Sequence, residues 1–466
     1  MKISQKEKGN GYMLIRFVVE NIFSFGETKE FNMIPRPRLR TYSNHKYSID
    51  NFELLKISSI YGANGAGKSN LVNSLNIFQD IVINETVPLS LEDKKFKFKD
   101  QKEKSTQIFA IEFVQDKEAF YYGLEISNGL ILTEELYKSG LGKKNDELIF
   151  ERKTNIDDKT TIKFSNEFEN DEKSQILKAI LMEEFVKPNK TILKLISNRD
   201  NKFLRSSKKA YNWFEDNLQI ITPESKPRAL AHWIDKNKEF KKYAENIMCS
   251  FDLGIKSLKS EIKDIYEVFG DNNKEQLNEI LTELDESPQK MIGLRSKSGD
   301  ELIVIKENDK VVIKQLKLEH KGIGDDSAIF DLNEESDGTI RLLDFIPAFQ
   351  DITSKEKVYI IDEIERSIHP LLIKELINKF TSDEKSKGQL IFTTHESNLL
   401  DQNIFRQDEI WFAEKNSAGA TDLYSLSDFK EHNTIDIRKG YLNGRYGSIP
   451  FLANLKDLNW HRYDIN

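Results

Sequence analysis

The consecutive residues Gly62-Ala63-Asn64-Gly65-Ala66-Gly67-Lys68-Ser69 match the pattern G-x-x-x-x-G-K-[ST]. The chemistry of such a run is phosphate binding. Its glycines let successive backbone N–H groups turn inward around oxygen atoms, and the helix that follows offers its positive N-terminus. Lys68 would reach the β- and γ-phosphates of ATP, and the Ser69 hydroxyl would ligate Mg2+. Asn64, Gly65, Ala66, Gly67 and Asn70 complete the expected cofactor-binding set. A chance glycine turn is the competing reading, and the flanking strand and helix patterns oppose it.

A second candidate begins with Val358-Tyr359-Ile360-Ile361, an apolar run suited to a parallel strand buried on both faces, which ends in Asp362-Glu363. Carboxylates at such a place are costly to bury without a cation. Asp362 is therefore the expected metal ligand beside Ser69, and Glu363 the expected catalytic base that orients and deprotonates a water. His395 follows Asp362 by 33 residues, the length of one helical crossover, and so falls at the end of the neighbouring strand. There a histidine would register a terminal phosphate. Ser336 and Gly338 open a further helix, and backbone N–H groups at a helix start can also bind phosphate. A simple N-cap is the alternative for Ser336.

These residues need a frame to hold them. From Met13 to Met33 apolar and polar residues alternate around Ile15, Phe17, Val19 and Ile22, as in half-buried strands. Ile57 to Tyr61 predicts a strand, and Leu71, Leu75, Phe78 and Val82 predict a helix after the glycine-rich loop. Strand patterns return from Gln107 to Leu136, with hairpin signals towards Phe164. Residues 166–290 read as a helical insertion rich in Lys and Glu, interrupted at Pro188, Pro223 and Pro227 and lacking sustained heptads. Strands resume at Leu302–Ile305 and Val311–Leu318, after which helix and strand alternate as in parallel β-α-β crossovers. The expected class is α/β, with a mixed sheet, an antiparallel β layer and an inserted helical subdomain. The expected divisions are a disordered leader 1–12 with Met13 as an alternative start, a first lobe 13–165, the insertion 166–290, a second lobe 291–450, and a tail 451–466.

Composition bounds the rest. Charged residues make up 31% of the 466 residues, the mean hydropathy is -0.56, and no run of about 18 apolar residues offers a membrane span. With Cys249 the single cysteine, a disulfide within the chain is excluded and a reducing cytoplasm is the expected location. The net charge of -8 opposes a surface built as a whole to coat nucleic acid. One basic run, Lys94, Lys95, Lys97, Lys99, Lys102 and Lys104, alternates with Phe96 and Phe98; it reads as a solvated edge strand before it reads as a phosphate contact.

The segments NIFSFGE, GANGAGKSN, HKG at His320, ESDGTIRLLDFIP, IIDEIERSIHP, TTHESNLLD and RKGYLNGRYGSIP together resemble the ABC-type P-loop ATPases related to SMC heads. Within these, the chain is similar to AAA-type ATPases of bacterial anti-phage abortive-infection systems, toxin–antitoxin-like and nuclease-partnered, of the PARIS and AbiL type. The resemblance spans about residues 13 to 165 and 295 to 450. It implies an SMC-head-like fold, a homodimer or higher homo-oligomer closed through its ATP sites, and Ser336 and Gly338 contacting the γ-phosphate held by the other subunit. Ser367 to His369 would be the connecting loop across that dimer. ESDGT stands where transporters carry LSGGQ, which speaks against transport. Gln79 and Gln107 both remain candidates for the glutamine loop, and Tyr441 to Pro450 for part of an assembly surface.

The resemblance implies an ATPase that senses a phage-encoded trigger and regulates a toxic effector, a nuclease encoded nearby. An SMC-like DNA-repair or DNA-scanning ATPase that binds nucleic acid directly is the alternative, opposed by the acidic charge and the missing coiled coil. The sequence offers no HNH or zinc-ligand cluster for a nuclease within this chain, and Gly322-Ile323-Gly324-Asp325-Asp326 reads as a hairpin loop.

Overall fold

A strand buried on both faces must be apolar along its length, and three such strands lie side by side within one sheet of this protein. The structure, a computed structural model, describes residues 11–49, 52–98, 106–155, 157–226, 229–269, 273–287, 290–295, 301–307, 310–429 and 436–447. Most of the expected leader, the tail 451–466, Lys99, Lys102, Lys104, Pro227 and Ser448 to Pro450 fall outside the described residues. Contacts divide the chain into two compact units, one of residues 1–222, 355–364 and 377–466, the other of 223–354 and 365–376.

In the first unit a mixed six-stranded sheet runs in the order Leu218–Ile221, Val358–Ile361, Gln389–Thr394, Ile57–Tyr61, Ile410–Lys415, Thr421–Ser425. All its pairings are parallel except the last. The Gln389–Thr394 strand thus separates the strand before the glycine-rich loop from the strand before Asp362-Glu363, and all three are buried at every residue. A seven-stranded antiparallel sheet forms the other layer, in the order Thr160–Phe164, Glu147–Thr154, Leu130–Lys138, Glu118–Ser127, Gln107–Gln115, Met13–Glu20, Lys29–Asn32.

The expected apolar stripe of the helix Lys68–Asn84 packs into the core of this unit. Phe78 stacks on Phe109 at 5.4 Å and on Tyr122 at 5.7 Å, and meets Phe214 edge-on. Gln389 ties the two sheets together. Its Nε2 donates to the carbonyls of Leu14 and Leu55 while its Oε1 accepts from Leu14 N, so a fully buried amide is satisfied on both sides.

Two expectations are corrected here. Residues 166–290 are not one helical insertion. Leu218–Ile221 is the edge strand of the parallel sheet, Ile255–Asp264 is a second strand in the same range, and the unit boundary falls after Thr222. Four residues are too few for a periodicity, and their pairing partner, Val358–Ile361, lies far along the chain. Residues up to Thr222 belong to the first unit because Trp213 and Phe214 bury themselves against Phe113. The run Lys94 to Phe98 is no edge strand either. A 3-10 turn, Leu89–Lys94, buries Leu91, and Phe96 is pinned where a Cβ on Gly26 would stand 2.8 Å from its ring.

In the second unit the strands Ile255–Asp264, Lys310–Lys321, Glu301–Glu307 and Met291–Arg295 form an antiparallel sheet, with Ser327–Asp331 paired to Lys310–Lys321. The helix Lys274–Glu286 covers it through Leu277, Ile280 and Leu284. Gly322 to Asp326 is the hairpin loop expected, closed by Gly322 N donating to Asp326 O at 2.8 Å. Among the described residues no helix is long and apolar enough to cross a membrane.

Glu319 stitches three strands of this sheet. It accepts from the Ser257 and Ser327 hydroxyls and pairs with Lys259 at 3.0 Å and Lys256 at 3.2 Å. These hydrogen bonds, led by that of Ser257, hold its carboxyl well below the usual carboxylate range. A depressed folded-state value contributes stability that is complete above the unfolded value of about 4.3 and fades as pH falls below it. Between pH 5 and pH 3 the melting midpoint of the wild type is therefore expected to fall more steeply than that of Glu319→Gln. Parallel curves in differential scanning calorimetry would remove Glu319 from the acid response.

Candidate functional site

Every glycine of the phosphate-loop pattern that matters sterically has a visible reason. A Cβ on Gly62 would lie 2.4 Å from Ala413 O, and one on Gly67, at φ 109°, would lie 2.1 Å from Thr421 Oγ1. The loop is held from behind by residues from the two ends of the chain. Thr421 Oγ1 lies 2.8 Å from Ala66 O and 2.7 Å from Ser24 Oγ; Ser24 Oγ in turn accepts from Asn70 Nδ2 at 2.8 Å. Ser24 belongs to the NIFSFGE segment, but its role there was not readable, and Thr421 carried no signal at all.

Lys68, the first residue of the loop helix, is buried. Its Nζ donates to Gly62 O at 2.8 Å and Ala63 O at 3.2 Å and lies 3.1 Å from His395 Nδ1. An ammonium only donates, so His395 accepts at Nδ1 and carries its hydrogen on Nε2. The loop lysine and the strand-end histidine are thus brought together. Asn64 and Gly65 are exposed on the loop, while Ser69 and Asn70 are half-buried at the helix start.

Asp362 and Glu363 follow the Val358–Ile361 strand directly. Asp362 is 3% exposed and accepts from Thr393 Oγ1 at 2.5 Å. Glu363 sits in the left-handed region at φ 50°, and its backbone N–H donates to the same Thr393 Oγ1 at 2.8 Å. Thr393 therefore touches both, although in the sequence alone a threonine within a buried strand reads as ordinary strand filling. The loop, the two carboxylates and His395 all leave the same end of three adjacent parallel strands, where open α/β sheets bind their ligands.

The residues present fit a nucleotide and its magnesium. The loop has no room for side chains at Gly62 and Gly67, it ends in a buried ammonium, and a hydroxyl at Ser69 and a carboxylate at Asp362 are the hard oxygen donors magnesium takes.

Ser336 and Gly338 belong to the second unit. Ser336 Oγ accepts from Thr339 N at 3.1 Å and lies 2.9 Å from Thr339 Oγ1, so the N-cap role is real. The helix Asp337–Ser354 starts there. A Cβ on Gly338 would stand 2.6 Å from Ser367 O, and Ser367 itself is left-handed at φ 62°, so the expected connecting loop packs on the motif of its own subunit. His320 of the HKG segment pairs with Glu335, beside Ser336, at 2.5 Å.

Of the two glutamines, Gln79 donates to the carbonyls of Phe214 and Leu218, and Gln107 to that of Leu91. Among the described residues neither hydrogen-bonds to the loop. In the C-terminal segment Tyr441 and Tyr446 are buried, while Leu442 to Arg445 between them are exposed. Both tyrosines stack on Phe412, Tyr441 also meets the Tyr61 ring edge-on, and a Cβ on Gly440 would stand 2.8 Å from the Tyr446 ring. Stacking on the sheet accounts for the aromatic and glycine spacing of GYLNGRYG.

No curated protein matches this chain. Among solved structures it is similar to an SMC head bound to the C-winged helix domain of ScpA, at 12% identity and a TM-score of 0.41, over 88% of this chain and 97% of that one. It is also similar to the SMC head domain from Thermotoga maritima, at 11% identity and a TM-score of 0.38, over 88% and 98%. A third is the Smc head domain with an extended coiled coil bound to the C-terminal domain of ScpA derived from Pyrococcus furiosus, at 14% identity and a TM-score of 0.38, over 89% and 96%. A family model matches residues 57–401, from the strand before the glycine-rich loop to beyond His395, and the chain thus belongs to the family described as "AAA domain, putative AbiEii toxin, Type IV TA system".

Proposed function

We propose that this protein binds and hydrolyses ATP, that two copies complete each other's sites, and that the nucleotide state governs a toxic effector in anti-phage defence. One observation carries the ATPase reading: the phosphate loop, the carboxylate pair and His395 emerge at one end of three neighbouring parallel strands. Gly65, Gly67 and their neighbours hold phosphate oxygens through backbone N–H groups, and Lys68 neutralises them. Ser69 and Asp362 would hold magnesium, which when bound neutralises the charge that develops on the phosphates. Glu363 orients and deprotonates the attacking water, and His395 reads the terminal phosphate. Ser336 and Gly338 serve the site of the other subunit.

The family's description, "putative AbiEii toxin, Type IV TA system", supports a place in a toxin–antitoxin system. A ligand shifts a conformational equilibrium only by its differential affinity for the two states. ATP can therefore act as the switch if the effector prefers one of them. Expressed alone, the protein is expected to be harmless, and affinity capture from the native operon should retain the nuclease neighbour to an extent that changes with ATP and in Glu363→Gln. Toxicity of the isolated protein, or DNA cleavage by it with magnesium, would overturn the two-component reading.

A further inference from the structure

Thr393 is fully buried in the strand between the loop strand and the carboxylate strand, opposite Ile60 in register. In such a strand a valine would pack as well, and a buried hydroxyl is tolerated only with partners. Its partners here are specific. A backbone N–H can only donate, so Thr393 Oγ1 accepts from Glu363 N at 2.8 Å, and its single hydrogen is left for Asp362 Oδ1 at 2.5 Å. The Thr393 carbonyl accepts from Ile364 N at 3.1 Å as well. One residue thus holds three successive residues of the turn, and the middle one, Glu363, has the left-handed φ of 50° that a non-glycine residue keeps only when its surroundings impose it. The χ1 of a β-branched side chain within a strand is stiff, so the hydroxyl has a fixed direction. Thr394, on the alternate face, accepts from Glu396 N at 3.0 Å and shapes the turn that carries His395 in the same manner.

We propose that Thr393 is a positioning residue for the reaction: through one hydroxyl it sets the direction of the Asp362 carboxylate and the backbone conformation that aims Glu363. This rests on the assignment of Glu363 as the base. Thr393→Val keeps the shape of the side chain and removes the hydroxyl. Its turnover is expected to fall about ten- to a hundredfold, the scale of a misplaced catalytic group, while magnesium-free ATP affinity in calorimetry stays within about threefold. Thr393→Ser should recover turnover to within about fivefold.

A readout without nucleotide accompanies this. Amide exchange at Glu363 should quicken at least about tenfold in Thr393→Val and return towards the wild-type rate in Thr393→Ser. Adding Thr393→Val to Glu363→Gln should lower turnover by a smaller factor than Thr393→Val does alone, because the part of its effect that acts through Glu363 is already lost. If the valine variant does not fold, Thr393→Ala takes its place with the same expectations. Wild-type turnover or wild-type exchange in the hydroxyl-free variant, a loss that serine does not recover, or full additivity with Glu363→Gln would each overturn the positioning role. Wild-type turnover in Glu363→Gln is a different outcome, since it defeats the assignment of the base itself.

Discussion

Lys68→Ala is expected to bind ATP at least about a hundredfold more weakly than the wild type and to hydrolyse none above background. The physical argument is that the loop offers backbone N–H groups, and Lys68 is the cation placed among them, buried and held by Gly62 O and Ala63 O. A charge-assisted hydrogen bond is worth about 1.5–3 kcal/mol, and every 1.4 kcal/mol or so is about tenfold in affinity. Two phosphates losing such a partner account for the expected drop. The two loop carbonyls also lose their donor, so the melting midpoint is measured alongside calorimetry to separate unfolding from lost binding. Full-strength ATP binding by a folded variant would remove the phosphate-loop assignment. The same variant tests the shared site: mixed with Ser336→Arg, itself expected to be inactive alone, it should regain part of the activity, because a mixed pair keeps one intact composite site. No recovery in pairs shown to mix would leave each subunit with a self-contained site.

Glu363→Gln should bind ATP as the wild type does and turn it over at least about a hundredfold more slowly, the lower end of what a general base contributes. Glutamine matches glutamate in size and keeps the backbone N–H that donates to Thr393, so the left-handed turn at φ 50° is expected to survive. Binding and chemistry then separate cleanly. Single-turnover phosphate release, with ATP affinity measured on the same preparation, reads the two apart. Unchanged turnover would make Glu363 a structural residue and send the search for the base elsewhere.

The parts of this site that the amino-acid sequence alone determined are those whose geometry is local. A glycine-rich run before Lys68-Ser69 makes a loop of inward N–H groups wherever it sits between strand and helix. An apolar run that stops at Asp362-Glu363 marks a buried strand and its end, and the helix between it and Gln389 makes the two strands parallel neighbours. What the tertiary structure decided is whatever depends on partners far apart in the chain. Leu218–Ile221 became a strand only by pairing with Val358–Ile361. Ser24 and Thr421 meet behind the phosphate loop although nearly the whole chain lies between them. Thr393 was legible as a strand residue, but not as a hydroxyl reaching both Asp362 and Glu363, because that contact is set by the register of two parallel strands. The division into units follows the same rule. Trp213 and Phe214 lie in a stretch of helical character, yet their rings are claimed by Phe113 and the core of the first unit, and burial of large aromatic area outweighs the local pattern. Spacing along a chain reports on hydrogen bonds and faces within one element, whereas the free energy that chooses among distant partners comes from packing that exists only once the sheets have closed.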